Sequence, residues 1–244
     1  MPGLFAPFLD RQGVVILDGG LATELEARGE DLTDPLWSGK VLLENPGAIR
    51  DVHLDYMRSG ADCVVSASYQ TTFEGLERRG LTHAEAGELL RRSVGLAIEA
   101  RDRFWSEASA RGDRLRPLVA ASVGPYGAYL ADGSEYTGDY GLSLEELAAF
   151  HRERFDLLAS AGADLLACET IPSRLEALAL VRLLERPGAL AGWMSFSCRD
   201  AGHLSDGTPF RDMVEEVAAS RAVVAVGVNC TAPEFITGLL ESVR

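Results

Sequence analysis

The sequence is short of positive charge: 23 lysines and arginines stand against 37 aspartates and glutamates, for a formal charge of -14. That balance repels a phosphate backbone and argues against a nucleic-acid partner. No apolar run approaches the roughly 20 residues that a membrane-spanning helix needs, which argues against a membrane protein. The opening MPGLFAPFLDRQG lacks the basic leader and long apolar core of a secretion signal, so a cytoplasmic location is expected. The four cysteines, Cys63, Cys168, Cys198 and Cys230, form no CxxC pair and no zinc-finger spacing. In a reducing compartment they are thiols rather than disulfides, and a metal bound by any of them would draw its other ligands from distant sequence. The turn at Asp18-Gly19-Gly20 lacks the GxGxxG pattern, so a dinucleotide fold has no specific support.

What is present is a regular alternation. At 244 residues and 47% hydrophobic, the chain can bury a sizeable core and is expected to form one α/β domain. Apolar runs at 14–17, 63–65, 117–122, 164–167, 190–196 and 222–228 read as strands, the first as a buried one. Helical periodicity occupies 22–28, 46–59, 82–106, 144–160, 174–185, 210–220 and the stretch from 234 onward, with a turn at Asp34-Pro35. Ser143 and Glu146 have the spacing of a capping box. Residues 124–133 read as a long loop with three glycines and two tyrosines, either a lid over a site or a surface loop packed by its own rings.

Nearly continuous apolar strands alternating with helices imply a mainly parallel sheet covered by helices. An open doubly wound sheet and a closed (β/α)8 TIM-type barrel both fit. The barrel is favoured because polar residues follow strand after strand instead of gathering at one switch point. About six of its eight strand-helix units are recognised. Two more need roughly 60 further residues at the usual size of a strand with its crossover, so residues 1–244 are expected to be a single barrel domain lacking its last two units.

Strand exits supply the candidate site residues, since ligands collect at the carboxyl ends of strands. Cys230 closes the run VVAVGVNCT at 223–231, where a reactive thiol and an inert buried one are both open readings. Asp18 and Gly19 follow the first run, as substrate contacts or as a plain turn. The exit at 66–73 is dense in hydroxyl and amide groups, including Ser68 and Gln70. Glu169 follows the fourth run, where a carboxylate must be paired or face a pocket. His53, His83, His151 and His203 occur singly, and none is assigned to a metal.

Six segments together resemble the homocysteine S-methyltransferase family, in the branch that uses S-methylmethionine or S-adenosylmethionine. They are ILDGGLATELEARG (16–29), SYQTTFEG (68–75), SVGPYGAYLADGSEYTGDY (122–140), CETIP (168–172), SFSCRDAGHLSDG (195–207) and GVNCTAPE (227–234). The resemblance implies a (β/α)8 barrel with a catalytic zinc, transferring a methyl group from a sulfonium donor to the thiol of homocysteine to give methionine. It makes Cys230 a zinc ligand and catalytic residue. The family's two adjacent cysteine ligands have no counterpart here and are expected beyond residue 244. It further implies that Asp18 and Glu169 orient the ammonium of homocysteine, that Gly19 lets the backbone approach it, and that Ser68 and Gln70 add polar contacts. Tyr126 and Tyr129 would flank the donor, since an aromatic face attracts a cation. The alternatives are a truncated, non-catalytic relative that keeps part of the amino-acid pocket, and another enzyme using Asp18 and Glu169 as acid and base. Sequence leaves the oligomeric state undetermined.

Overall fold

The computed structural model describes residues 3–32 and 38–244; the expected Asp34-Pro35 turn lies outside them. It is an α/β fold with a parallel five-stranded sheet flanked by helices, in the order β1 (Cys63–Val65), β2 (Leu118–Val123), β3 (Leu165–Ile171), β4 (Gly192–Phe196) and β5 (Val223–Val228). Among the described residues, no helix is long and apolar enough to cross a membrane. The chain divides into two compact units, Met1–Ser122 with Leu157–Asp164, and Val123–Asp156 with Leu165–Arg244.

In the first unit, the helices Pro46–Ser59 and His83–Ser106 pack against each other. Leu90, Val94, Ala97 and Phe104 recur at helical spacing and are fully buried, as are Ile49 and Met57 on the partner helix. The longer helix starts at a capping box in which Thr82 N donates to Glu85 Oε2 (2.7 Å) and Glu85 N to Thr82 Oγ1 (3.3 Å). β1 pairs with β2 from Cys63 opposite Leu118 to Val65 opposite Ala120.

The expectation of a buried first strand at 14–17 is corrected. Val14, Ile16 and Leu17 are 54%, 50% and 48% exposed, and the run makes a single parallel bridge, Leu17 to Cys63. Its backbone does follow β1, with Asp62 N donating to Ile16 O (2.6 Å) and Asp18 N to Cys63 O (3.0 Å). Support from one flank of so short a run gives hydrogen bonds without burial.

In the second unit, β3, β4 and β5 are parallel neighbours. The fourth run is longer than expected and takes Cys168, Glu169, Thr170 and Ile171 into β3. Its register slips there: the step from Cys168 to Ile171 on β3 is matched by Met194 to Phe196 on β4, one residue fewer. That extra residue is a bulge, the usual device for re-aiming side chains at a strand end. The capping box at the helix Leu144–Ser160 forms as read, Ser143 N donating to Glu146 Oε2 at 2.8 Å and Glu146 N to Ser143 Oγ at 3.3 Å. Half of the 124–133 loop is instead helical, at Tyr126–Leu130, and a 3-10 turn at Ser134–Tyr136 follows it. Gly127 permits that compact path, because a Cβ there would collide with the backbone nitrogen of Glu135.

Candidate functional site

Two groups of candidate residues emerge, one in each unit. In the first, Asp18 Oδ2 accepts from Val65 N at 2.9 Å, which fixes the half-buried carboxylate at the carboxyl end of β1. Gly19 lies under the Tyr56 ring, where a Cβ would come within 2.8 Å of the phenol oxygen. Tyr56 Oη donates to Gly20 O at 3.2 Å. Burial raises the Tyr56 phenol above its ordinary range, with the nearby charges of Glu24 and Asp18 adding to the effect. In the sequence, Tyr56 falls within the helical periodicity of 46–59 and nothing singles it out. Ser68 is fully buried; its hydroxyl donates to Ser122 O (2.8 Å) and lies 2.8 Å from Ser66 Oγ. It ties the exit of β1 to the end of β2. Gln70 is half-buried in the same exit.

The second group is built around Cys230. It is exposed, whereas Cys63, Cys168 and Cys198 are buried. Burial pushes the thiols of Cys168 and Cys198 up to about 12 and holds that of Cys63 well above its ordinary value. Thr170 Oγ1 donates to Cys230 Sγ at 3.5 Å and accepts from Asn229 Nδ2 at 2.8 Å. Thr170 N in turn donates to Asn229 Oδ1 at 2.8 Å, closing a reciprocal pair between the ends of β3 and β5. Both Thr170 (φ 60°) and Cys230 (φ 47°) lie in the left-handed region. For a β-branched threonine that strain is on the order of 1–3 kcal/mol, and such strain clusters at functional sites.

Desolvation raises the Cys230 thiol, the Thr170 hydroxyl lowers it, and the charges of Glu169 and Glu135 raise it further. A thiol in this setting stays protonated near neutral pH and is a poor nucleophile by itself. Glu135 is not singled out in the sequence, where it lies just past the 124–133 loop. The structure pins its backbone between Gly127 and the Ser197 hydroxyl, which donates to Glu135 O at 3.3 Å.

Tyr126 and Tyr129 form an edge-on pair with centroids 5.6 Å apart, and both pack on Phe150 at 4.8 and 5.4 Å. Tyr140 completes the cluster, 5.2 Å from Tyr126. Both tyrosines keep part of their surface exposed.

Cys230 offers one sulfur donor, and the negative field of Glu169 and Glu135 suits a cation beside it. Among the described residues, however, no group of three His, Cys, Asp or Glu side chains could hold a metal ion. The residues present therefore do not complete a zinc site, and no reaction step can be drawn through the ion from this chain alone.

Comparison with known proteins gives consistent matches. The family profile described as Homocysteine S-methyltransferase matches residues 15–244. The chain is 52% identical to Homocysteine S-methyltransferase YbgG of Bacillus subtilis, over 97% of this chain and 75% of the relative. It is 54% identical to the Homocysteine S-methyltransferase of Escherichia coli, over 96% of this chain and 74% of the relative. The crystal structure of the metallated form of the Escherichia coli homocysteine methyltransferase MmuM superposes with a TM-score of 0.91 at 54% identity, covering 97% of this chain and 81% of that one.

Proposed function

Since the chain belongs to the homocysteine S-methyltransferase family, we propose that it transfers a methyl group from a sulfonium donor, S-methylmethionine or S-adenosylmethionine, to homocysteine, giving methionine. The homocysteine thiol loses its proton, its sulfur forms a bond to the methyl carbon, and the donor's carbon–sulfur bond breaks with its electron pair left on a neutral thioether. The observation that carries this reading is the Cys230 cluster. The one exposed thiol sits at the end of β5, hydrogen-bonded to Thr170, with the Glu169 carboxylate near it at the end of β3.

Glu169 and Asp18 are the carboxylates assigned to the homocysteine ammonium. Gly19 leaves backbone accessible beside Asp18, and Ser68 and Gln70 shape the adjoining loop. Tyr126 and Tyr129 offer aromatic faces to the donor cation. Holding both substrates in line removes much of the entropic barrier to such a transfer. Cys230 is proposed as one ligand of a zinc ion whose other donors come from outside residues 1–244, within a complete (β/α)8 barrel. Thiolate-bound zinc with an open position lowers the cost of ionising an incoming thiol.

The test is methionine formation from homocysteine and S-methylmethionine by the zinc-loaded enzyme with its full donor set, as wild type and as Cys230→Ser. Loss of turnover in the variant, with its fold intact by circular dichroism, is expected; undiminished turnover would remove Cys230 from the chemistry. A second reading, amino-acid binding without turnover, draws on the absence of a three-donor metal group among the described residues. Homocysteine binding by a preparation that forms no methionine would favour it.

A further inference from the structure

The SVGPYGAYLADGSEYTGDY segment is held from beneath by charged side chains that the chemistry above does not use. Arg154 and His151, on the helix Leu144–Ser160, and Glu176, on the helix Arg174–Leu184, are 2%, 0% and 0% exposed. Burying three such groups is costly unless each is engaged. Arg154 Nη2 donates to Gly124 O at 2.6 Å and lies 3.0 Å from His151 Nδ1. A guanidinium can only donate, so Nδ1 is the acceptor and the imidazole proton sits on Nε2. Nε2 lies 2.8 Å from Glu176 Oε1 and donates to it. The same oxygen accepts from Tyr126 N at 2.5 Å. Burial lowers the His151 ionisation and outweighs the Glu176 hydrogen bond and charge, which raise it, while the Arg154 charge adds to the lowering; the ring stays neutral.

The result is a closed chain from Gly124 O through Arg154, His151 and Glu176 to Tyr126 N. It grips the backbone on both sides of Pro125, which has no N–H of its own. Gly124 and Tyr126 are thereby fixed relative to the two helices, and the direction in which the Tyr126 ring leaves the backbone is fixed with them. Tyr140 reinforces the point: its phenol is held above its ordinary range by burial, with the Glu176 charge contributing. Among the described residues, the buried Tyr140 Oη and Glu176 Oε2 make no hydrogen bond of ordinary geometry, although the phenol faces Glu176 and the Gly127 backbone. A fold that needed the carboxylate only for packing would do better with an apolar side chain of similar volume.

We propose that Glu176, with His151 and Arg154 behind it, is a positioning residue for the methyl donor: it sets the Tyr126 ring against which the sulfonium rests. The inference rests on the donor role assigned to Tyr126 above. It predicts a selective effect, because the clamp orders the donor's aromatic wall and leaves the Asp18 and Glu169 carboxylates in place.

The test is calorimetric binding of S-methylmethionine and, separately, of homocysteine to the full chain, as wild type, Glu176→Gln, Tyr126→Leu and the double variant. Glu176→Gln is expected to weaken S-methylmethionine binding about tenfold while leaving homocysteine binding within about twofold. The double variant should bind no more weakly than Tyr126→Leu, since coupled residues are not additive. If Glu176→Gln does not fold, His151→Gln is read by the same criteria. Failure of both to fold would assign the network to stability alone and overturn the proposal. So would unchanged donor affinity, equal weakening of both ligands, additive effects, or no donor binding by the wild type. Donor binding by a wild type that carries its full zinc donor set and bound zinc yet forms no methionine would refute the transferase reading while leaving this one standing.

Discussion

His53 provides the sharpest quantitative test of the fold. Its ring is fully buried in the helix Pro46–Ser59, and neither Nδ1 nor Nε2 has a hydrogen-bond partner among the described residues. Burial lowers its ionisation from an ordinary 6.5 to about 4. Above pH 6.5 the ring is neutral in both folded and unfolded chains, so this part of the stability is fully present. As pH falls below 6.5 the unfolded chain takes up a proton that the folded chain refuses until about pH 4, and stability drops through that window. The whole drop is about 3 kcal/mol, at about 1.4 kcal/mol for each tenfold change. Against total stabilities of about 5–15 kcal/mol that loss is large. The perturbation is His53→Leu, which keeps the approximate volume and removes both unpaired nitrogens. Urea unfolding monitored by circular dichroism at pH 7.5, 6, 5 and 4.5 gives the difference between wild type and variant, cancelling the carboxylates common to both. The variant should match or exceed the wild type at pH 7.5, with the gap in its favour widening by about 2–3 kcal/mol toward pH 4.5. Parallel pH profiles would refute the reasoning.

Two further outcomes follow from the site. Under native conditions iodoacetamide should modify Cys230 alone, because the other three sulfurs are buried; peptide mapping that found Cys168 or Cys198 labelled at a comparable rate would contradict the burial. Gly127→Ala should lower stability by about 1–3 kcal/mol, the usual cost of forcing atoms into occupied space, since the added methyl meets the Glu135 backbone; an unchanged melting temperature would show that the 3-10 turn yields freely.

Much of the architecture was legible because the alternation of apolar runs and amphipathic helices is a local property. Five of six strand candidates form the sheet, and the sixth fails because residues 14–17 meet a neighbour on one flank only. Cys230 and Glu169 could be placed near strand ends because strand exits can be read from composition. The residues around them could not be picked out in that way. Thr170 reads only as one residue of the exit after the run 164–167, and its bond to Asn229 spans 59 positions. Glu176 falls within the helical periodicity of 174–185 without being singled out, because nothing local reveals that its partners are His151 and a backbone N–H 50 residues away. Periodicity tells which face of a helix is apolar, but it is silent on a charge that turns inward to meet main chain.

The extra residue in β3 divides that strand into two regimes. Up to Cys168, side chains answer to the interior, and a change of volume there is felt by β4. Past the slip, Thr170 is held by Asn229 and Cys230 at the end of β5, and its left-handed backbone departs from the pleat below. A substitution at half-buried Glu169 therefore perturbs this end without removing a buried side chain, whereas one at buried Thr170 breaks the link between the ends of β3 and β5.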